Sequence, residues 1–517
     1  MERTGRHAFL VGSGILLSRL VGLVRQRVFS YYFGLSDAAD AFTAALRIPN
    51  FLQNLFGEGV LSASFIPVYA RLLAEHDEEE AGRVAGAVAA ILALTTSVLV
   101  LVGVLATPYL IDAIAPGFHE AKRELTIRLV RILFPGVGLL VLSAWCLGIL
   151  NSHRRFFLSY AAPVIWNAAM IATLVVFGGQ PQDALVATLA WGSVIGSALQ
   201  FGVQLPVVLK LARGLRVHLE TRGAPVREVL RNFGPVFVSR GAVQISAYVD
   251  NLLASLLGEG AVAGLTNAQT LYLLPVSLFG MSISAAELPA MSSALGDKEQ
   301  VAGLLRQRLN AGLRQIEFFI VPSAMAFLAL GDVITAALFQ TGRFKHADAL
   351  YVWAILAGSG VGLLASTMGR LYSSTYYALR DTRTPLRYAV IRVALTTGLG
   401  YLCAVPLPRW LGIEPRWGVA GLTASAGVAG WVEFTLLRRT LNQRIGRTGL
   451  PTVLTAKLWI SAAVGAAAGW GMKLAIGGRH PIIAAIAILA PYGILYFAVA
   501  YLLRVEECGQ ALRRLRR

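Results

Sequence analysis

The chain has 517 residues, of which 56% are hydrophobic and only 14% charged. Soluble domains carry about 25% charged residues, so this composition excludes an ordinary soluble globule and points to a polytopic membrane protein. The net charge of +18 does not signify nucleic-acid binding, because the basic residues collect in alternate short loops between apolar runs, the positive-inside pattern of membrane proteins.

About 20 mostly apolar residues cross a bilayer. On that rule helices are predicted over 8–33, 41–73, 83–109, 124–150, 159–178, 184–209, 228–256, 261–293, 311–330, 349–378, 384–404, 417–437, 452–473 and 481–503. The expected fold is therefore all-α, with 14 transmembrane helices and, from the loop charges, both termini in the cytoplasm. The segment before the first span lacks a small-residue cleavage site, so it reads as part of a retained helix. Spans one, two and eight exceed the membrane thickness. Pro49, Pro67, Pro275 and Pro289 are the candidate kinks, and Gly57-Glu58-Gly59 is a candidate flexible point. Cys146, Cys403 and Cys508 are far apart, and no pair of histidines has ligand spacing, so neither a disulfide framework nor a metal site is expected.

Two landmarks recur at nearly one offset. Leu55-Phe56-Gly57 returns as Leu278-Phe279-Gly280, and Gly136-Val137-Gly138-Leu139-Leu140 returns as Gly360-Val361-Gly362-Leu363-Leu364. The interval covers six spans, an even number, so the halves read as parallel repeats that enclose a site at their interface. The expected organisation is an N-terminal six-helix lobe over 1–215, a C-terminal six-helix lobe over 225–440, two further helices within 450–505 and a basic cytoplasmic tail over 506–517.

Arginines lie inside the first two spans. A charge in mid-bilayer costs roughly 2.5–3.5 kcal/mol on insertion scales, so it normally faces a polar cavity or a partner charge. Ser18, Arg19, Arg25, Arg47 and Asn50 are the candidates to line a cavity for an anionic group. Arg19 lies ~16 Å into its span at 1.5 Å per residue, and Ser18, Gly22 and Arg25 share one helix face. Gly14, Ser18 and Gly22 form a strip of small residues that equally serves close helix packing. Asp37 and Asp40 are candidates to cap the second helix, and Asp40 also to pair with Arg25 as a gate. Glu58 is placed to neutralise Arg47 or Arg19, as a structural pair or as a gating charge. Asp250 is the candidate ligand for a coupling cation, the alternative being a hydrogen-bonded structural acid. The chain has no GxxxxGK[ST] phosphate loop and no carboxylate cluster in its outer loops. ATP hydrolysis and metal-dependent transfer are therefore not expected. No cofactor is expected, and the drive is assigned to the membrane potential, to an ion gradient such as Na+, or to consumption of the product.

Ser18-Arg19-x-x-Gly22-x-x-Arg25, Phe33-Gly34-x-Ser36-x-x-x-Asp40-Ala41-Phe42, Arg47-Ile48-Pro49-Asn50, Leu55-Phe56-x-Glu58-Gly59 and Phe65-Ile66-Pro67 resemble the N-terminal signature of the bacterial lipid II flippases (MurJ/MviN type). Ala115-Pro116-Gly117-Phe118, Phe339-Gln340-x-Gly342-x-Phe344 and Asp381-Thr382-x-Thr384-Pro385 extend the resemblance to span eleven. It implies the fold of the multidrug/oligosaccharidyl-lipid/polysaccharide exporter superfamily, with two six-helix lobes and a final helix pair forming a groove for a lipid tail. It implies movement of undecaprenyl-pyrophosphate-linked peptidoglycan precursor (lipid II) from the inner to the outer leaflet of the cytoplasmic membrane. Arg19, Arg25 and Asp40 match positions that the family uses in its central cavity. Membrane lipid and cell-wall synthesis proteins are the implied partners of a monomeric carrier. Gln53 and Thr270 stand where the family carries further arginines, which thins the anion clamp. The alternatives are a flippase for another polyprenyl-linked glycan, a polyprenyl-dependent membrane transferase, which needs catalytic acids or a metal in an outer loop, and a non-transporting partner of the wall machinery.

Overall fold

The structure is a computed structural model and describes the chain from Glu2 to Gly509, except residues 213, 220, 222, 293–296 and 477–479. The side chains of 2–13, 15, 58, 59, 235–247 and 298 also lie outside that description. Among the described residues the chain is helical, with no β-strand, and internal contacts divide it into Met1–Val262 and Ala263–Arg517.

The first unit holds α1 (Glu2–Phe33), α2 (Asp37–Phe56), α3 (Glu58–Ser64), α4 (Ile66–Ala74), α5 (Glu78–Ile114), α6 (Glu120–Ser152), α7 (Phe156–Phe177), α8 (Gln182–Leu211) and α9 (Ala224–Ser255). Helix α6 is its axis and packs on α2, α5 and α8, while α7 joins α1 to α8 and α9 lies against α2, α3 and α5. The buried side chains on α6 include Leu129, Leu133, Phe134, Val137 and Val141.

The second unit begins within α10 (Ala261–Pro275) and continues through a π-helical turn at Val276–Met281 into α11 (Ser282–Ser292). There follow α12 (Lys298–Ala329), α13 (Gly331–Phe339), α14 (His346–Ala378), α15 (Arg383–Ala404), α16 (Pro406–Trp410), α17 (Gly418–Ile445), α18 (Thr452–Ile476) and α19 (Pro481–Leu502). Helix α14 is the axis here and packs on α11, α12 and α17, with α15 also on α17. Helices α18 and α19 pair and lie on α12 and α13. The hydroxyls of Tyr492 and Tyr496 donate to the carbonyls of Pro322 and Phe318 on α12, both at 2.5 Å.

Among the described residues eleven helices are long and apolar enough to cross a membrane, and they correspond to expected spans three to six and eight to fourteen. Large apolar side chains face outward on them, with Leu105 69% and Ile494 68% exposed, as a lipid-facing surface requires. Expected spans one and seven are single helices, α1 and α9, much of whose side-chain detail lies outside the description.

The second expected span is not one helix. It is interrupted at Gly57 and again at Phe65. At Gly57 the Gln53 carbonyl oxygen occupies the space of a side chain, 2.2 Å from where a Cβ would stand. Pro67 then sits in the first turn of α4, where its missing N–H costs nothing. Pro49 lies inside unbroken α2, whereas Pro275 directly precedes the π-helical turn. Both copies of the Leu-Phe-Gly landmark thus fall on a helix irregularity.

Candidate functional site

The start of α1 packs closely on α7, since a Cβ on Gly14 would come within 2.8 Å of Tyr160 Cβ. At Gly14 the strip therefore serves packing, whereas a Cβ on Gly22 would meet only Asn167 Oδ1, at 3.9 Å. One turn beyond Gly14, Ser18 is partly buried and Arg19 exposed. A further two turns along, Arg25 is partly buried against α7. Its guanidinium carbon lies 4.9 Å from the centroid of the Trp166 ring, and Nη1 lies 3.8 Å from Met170 Sδ. Trp166 is itself held, its indole N–H donating to Ser193 O at 3.1 Å and to Ser193 Oγ at 3.2 Å. A cation over an indole gains ~0.5–2 kcal/mol, which offsets part of the cost of removing the charge from water. Among the described residues Arg25 has no carboxylate partner, so its donor fork is open to an anion.

The expected Arg25–Asp40 pair does not form. Asp40 is fully buried, accepts from Lys122 Nζ at 2.7 Å and accepts from the backbone N–H of Gly260 at 2.8 Å. Lys122 also reaches Asp37 at 2.7 Å. The two acids occupy the first turn of α2, whose cap is Ser36, with its hydroxyl accepting from Ala39 N at 3.3 Å. Asp37 and Asp40 thus clamp Lys122 of α6, and neither is the cap. Lys122 is the residue that sequence reasoning missed. The signal for it was the pair of acids one turn apart, which needs a cation.

Arg47, on α2, is partly buried. Its carbonyl accepts from the Tyr248 hydroxyl of α9 at 2.7 Å, and the charge of Asp250 acts on its guanidinium. The candidate anion binder and the candidate cation ligand are therefore within electrostatic reach of one another. Asn50 is exposed one turn on. The Glu58 side chain lies outside the described residues. Thr270 Oγ1 donates to Thr266 O at 2.9 Å and brings no charge in place of an arginine.

Gln53 opens onto a cavity of ≈ 450 Å³ inside the first unit, with Asn54, Ser62, Ser143, Gln200 and Gln204. A second, apolar pocket of ≈ 370 Å³ lies between α2, α5, α6 and α9, lined by Ile48, Phe51, Leu99, Phe134 and Tyr248 among others. The Asp381 motif is a helix start. Asp381 Oδ1 accepts from Arg383 N and Thr384 N at 3.0 Å, and Oδ2 accepts from Thr384 Oγ1 at 2.7 Å and from Arg444 at 2.6 Å. Partial burial raises this loop carboxyl, yet these donors prevail and hold it down at about 2. Among the described residues no group of His, Cys, Asp and Glu is arranged to hold a metal ion.

The described residues thus form an all-helical, multi-pass membrane architecture with an arginine, Arg25, that no described carboxylate pairs. Solved structures agree on the fold. One titled "Lipid II flippase MurJ, inward closed conformation" aligns with a TM-score of 0.78 at 23% identity, over 96% of this chain and 99% of that one. An inward-facing multidrug resistance MATE family transporter of the MOP superfamily aligns with a TM-score of 0.68 at 18% identity, over 84% of this chain and 98% of that one. The family model described as "Lipid II flippase MurJ" matches residues 29–503, and the chain belongs to that family. The "Lipid II flippase MurJ" of Burkholderia cenocepacia is 33% identical over 446 residues, 84% of each chain. The "Probable lipid II flippase MurJ" of Rhizobium meliloti is 31% identical over 514 residues, 95% of this chain and 92% of that one.

Proposed function

We infer that this protein carries lipid II across the cytoplasmic membrane by alternating access, as a transporter and not an enzyme. The observation that carries the reading is family membership over residues 29–503. The chemistry agrees with it, because a pyrophosphate needs bidentate donors and Arg25 offers a guanidinium with no acid to neutralise it. Anion recognition is assigned to Arg25, with Arg19 of α1 and Arg47 of α2 as its further candidates. Fourteen helices cross the bilayer, six in each lobe over 1–215 and 225–440, and the pair within 450–505 forms a groove for the lipid tail. Equivalent packing supports the two lobes, since α6 with α2, α5 and α8 has its counterpart in α14 with α11, α12 and α17. Both termini are cytoplasmic, and the protein acts as a monomer beside the wall-synthesis machinery. Outward movement of an anion gains about 2.3 kcal/mol per charge per 100 mV when the interior is negative, so the membrane potential suffices as a drive.

The test is depletion followed by complementation. Cells lacking this carrier accumulate lipid II on the inner leaflet, and expression of the chain restores its appearance outside. Restoration of a different lipid-linked glycan, with lipid II still trapped, would instead favour the related reading raised by Gln53 and Thr270.

A further inference from the structure

We propose that the cavity beside Gln53 is a neutral sugar subsite, which holds the glycan of the carried molecule apart from the arginines that hold its pyrophosphate. The proposal rests on the lipid II reading and specifies which part of that substrate sits where.

The cavity is ligand-sized. At ≈ 450 Å³ it falls within the ~300–1,000 Å³ range of small-molecule sites and far exceeds the ~30 Å³ share of one water. Its polar lining is uncharged. Gln53 and Asn54 come from α2, Ser62 from α3, Ser143 from α6, and Gln200 and Gln204 from adjacent turns of α8. Three of them form a buried chain in which Gln200 Nε2 donates to Ser143 Oγ at 2.9 Å and Ser143 Oγ donates to Gln204 Oε1 at 2.7 Å. That chain fixes both amides and leaves one unused group on each, the Gln204 NH2 as donor and the Gln200 carbonyl as acceptor. Gln53, Asn54 and Ser62 add amide and hydroxyl groups that make no side-chain hydrogen bond among the described residues.

Mixed donors and acceptors without charge match a ligand rich in hydroxyl and acetamido groups, each of which both gives and takes hydrogen bonds. They mismatch a pyrophosphate, which needs cations. They also mismatch a peptide, whose terminal carboxylate would be buried here without a partner. Leu140, Leu147 and Pro163 supply apolar wall for the C–H face of a sugar ring. The glutamine at position 53 then has a purpose, since an arginine there would bring a charge into a neutral pocket.

Binding to the full chain in nanodiscs decides the matter, with three probes: lipid II, undecaprenyl pyrophosphate without sugars, and the sugar-bearing pyrophosphate without its peptide. The wild type is expected to bind both sugar-bearing probes at least tenfold more tightly than the sugar-free one. Gln200→Leu with Gln204→Leu should abolish that preference and leave affinity for undecaprenyl pyrophosphate within twofold. If the double variant does not fold, Gln53→Leu decides alone, because it orphans no partner, and it should reduce the preference several-fold. Equal wild-type affinity for all probes, loss of preference on removing the peptide alone, or variants that weaken all three probes alike would overturn the subsite. Wild-type binding to none of the probes would overturn the lipid II reading itself.

Discussion

At the scale of single residues, Arg25 and Asp40 behave differently, although both were expected in one pair. Arg25 is held by a ring and a thioether, so its replacement removes little structure. Arg25→Ala should abolish transport while abundance stays near normal. Arg25→Lys should keep the charge but lose the bidentate grip, cutting transport at least tenfold in a leaflet-accessibility assay. Asp40 is an anchor, and removing one partner of a buried pair costs about 3–5 kcal/mol. Asp40→Ala should therefore lower the thermal midpoint strongly, whereas Asp37→Ala, at an exposed partner of the same lysine, should cost less than about 1 kcal/mol. A histidine supplies the pH dependence. Burial is the main cause holding the His153 imidazole below its usual 6.5, with Arg155 assisting and Glu78 opposing, and the Tyr69 hydroxyl lies 3.1 Å from Nε2. A depressed folded-state value means that the contribution is complete above about 6.5 and is lost as the pH falls through the folded value. Melting at pH 7 and pH 5 should show a larger drop for wild type than for His153→Gln. The arginines were legible in the sequence because a charge in an apolar run stands out. The surroundings of Arg25 were not, because Trp166 and Met170 lie far along the chain with no local signal for them, and Lys122 was signalled only by the pair of acids that it joins.

At the scale of helices, apolar length located the elements well, and the interruptions less well. Gly57-Glu58-Gly59 was legible as a weak point and Pro67 as a kink, but the burial of Phe65 beside Gly148 at the second interruption was not. The glycine contacts between α14 and α17 were also hidden. Gly362 and Gly427 bring the two backbones together, so a Cβ on Gly362 would stand 2.3 Å from Gly427 Cα. Gly362→Ala should cost about 1–3 kcal/mol by overpacking. Gly369→Ala, two turns further along α14 with nothing within 4 Å, should be neutral or slightly stabilising through helix propensity. Thermal midpoints of the two variants in the same detergent would compare them directly. If both fell equally, close approach would not be what the glycine at 362 provides.

At the scale of the whole molecule, the repeat in the sequence predicts that the two six-helix sets superpose, Leu55 to Gly57 on Leu278 to Gly280 and Gly136 to Leu140 on Gly360 to Leu364. An experimental structure with those pairs at unrelated positions would refute the duplication. Orientation has its own check. In a background without Cys146, Cys403 and Cys508, a cysteine at Gly179 should react with a membrane-impermeant reagent from outside the cell. One at Arg155 should stay protected until the membrane is opened. The reverse result would invert the topology drawn from the loop charges. The two units of the structure divide at Val262, beyond the end of the expected first lobe, and the repeat was legible because it preserves glycines that shape helices. The neutral pocket was not, because glutamine and serine inside a span carry no periodic signature and acquire meaning only when α2, α6 and α8 meet.

The stack of Arg25 on Trp166 makes the indole an optical gauge of the carrier's load. The excited state of an indole shifts in energy with the electric field across its ring, and here the nearest cation is the one assigned to grip the pyrophosphate. An anion arriving at the guanidinium would neutralise that field, so the emission of this tryptophan should change colour as substrate binds. Eight other tryptophans contribute background, and the difference spectrum between the wild type and Trp166→Phe isolates the signal. Titration with undecaprenyl pyrophosphate should then read occupancy in an unlabelled protein, and a difference spectrum that ignores the ligand would separate Arg25 from the anion.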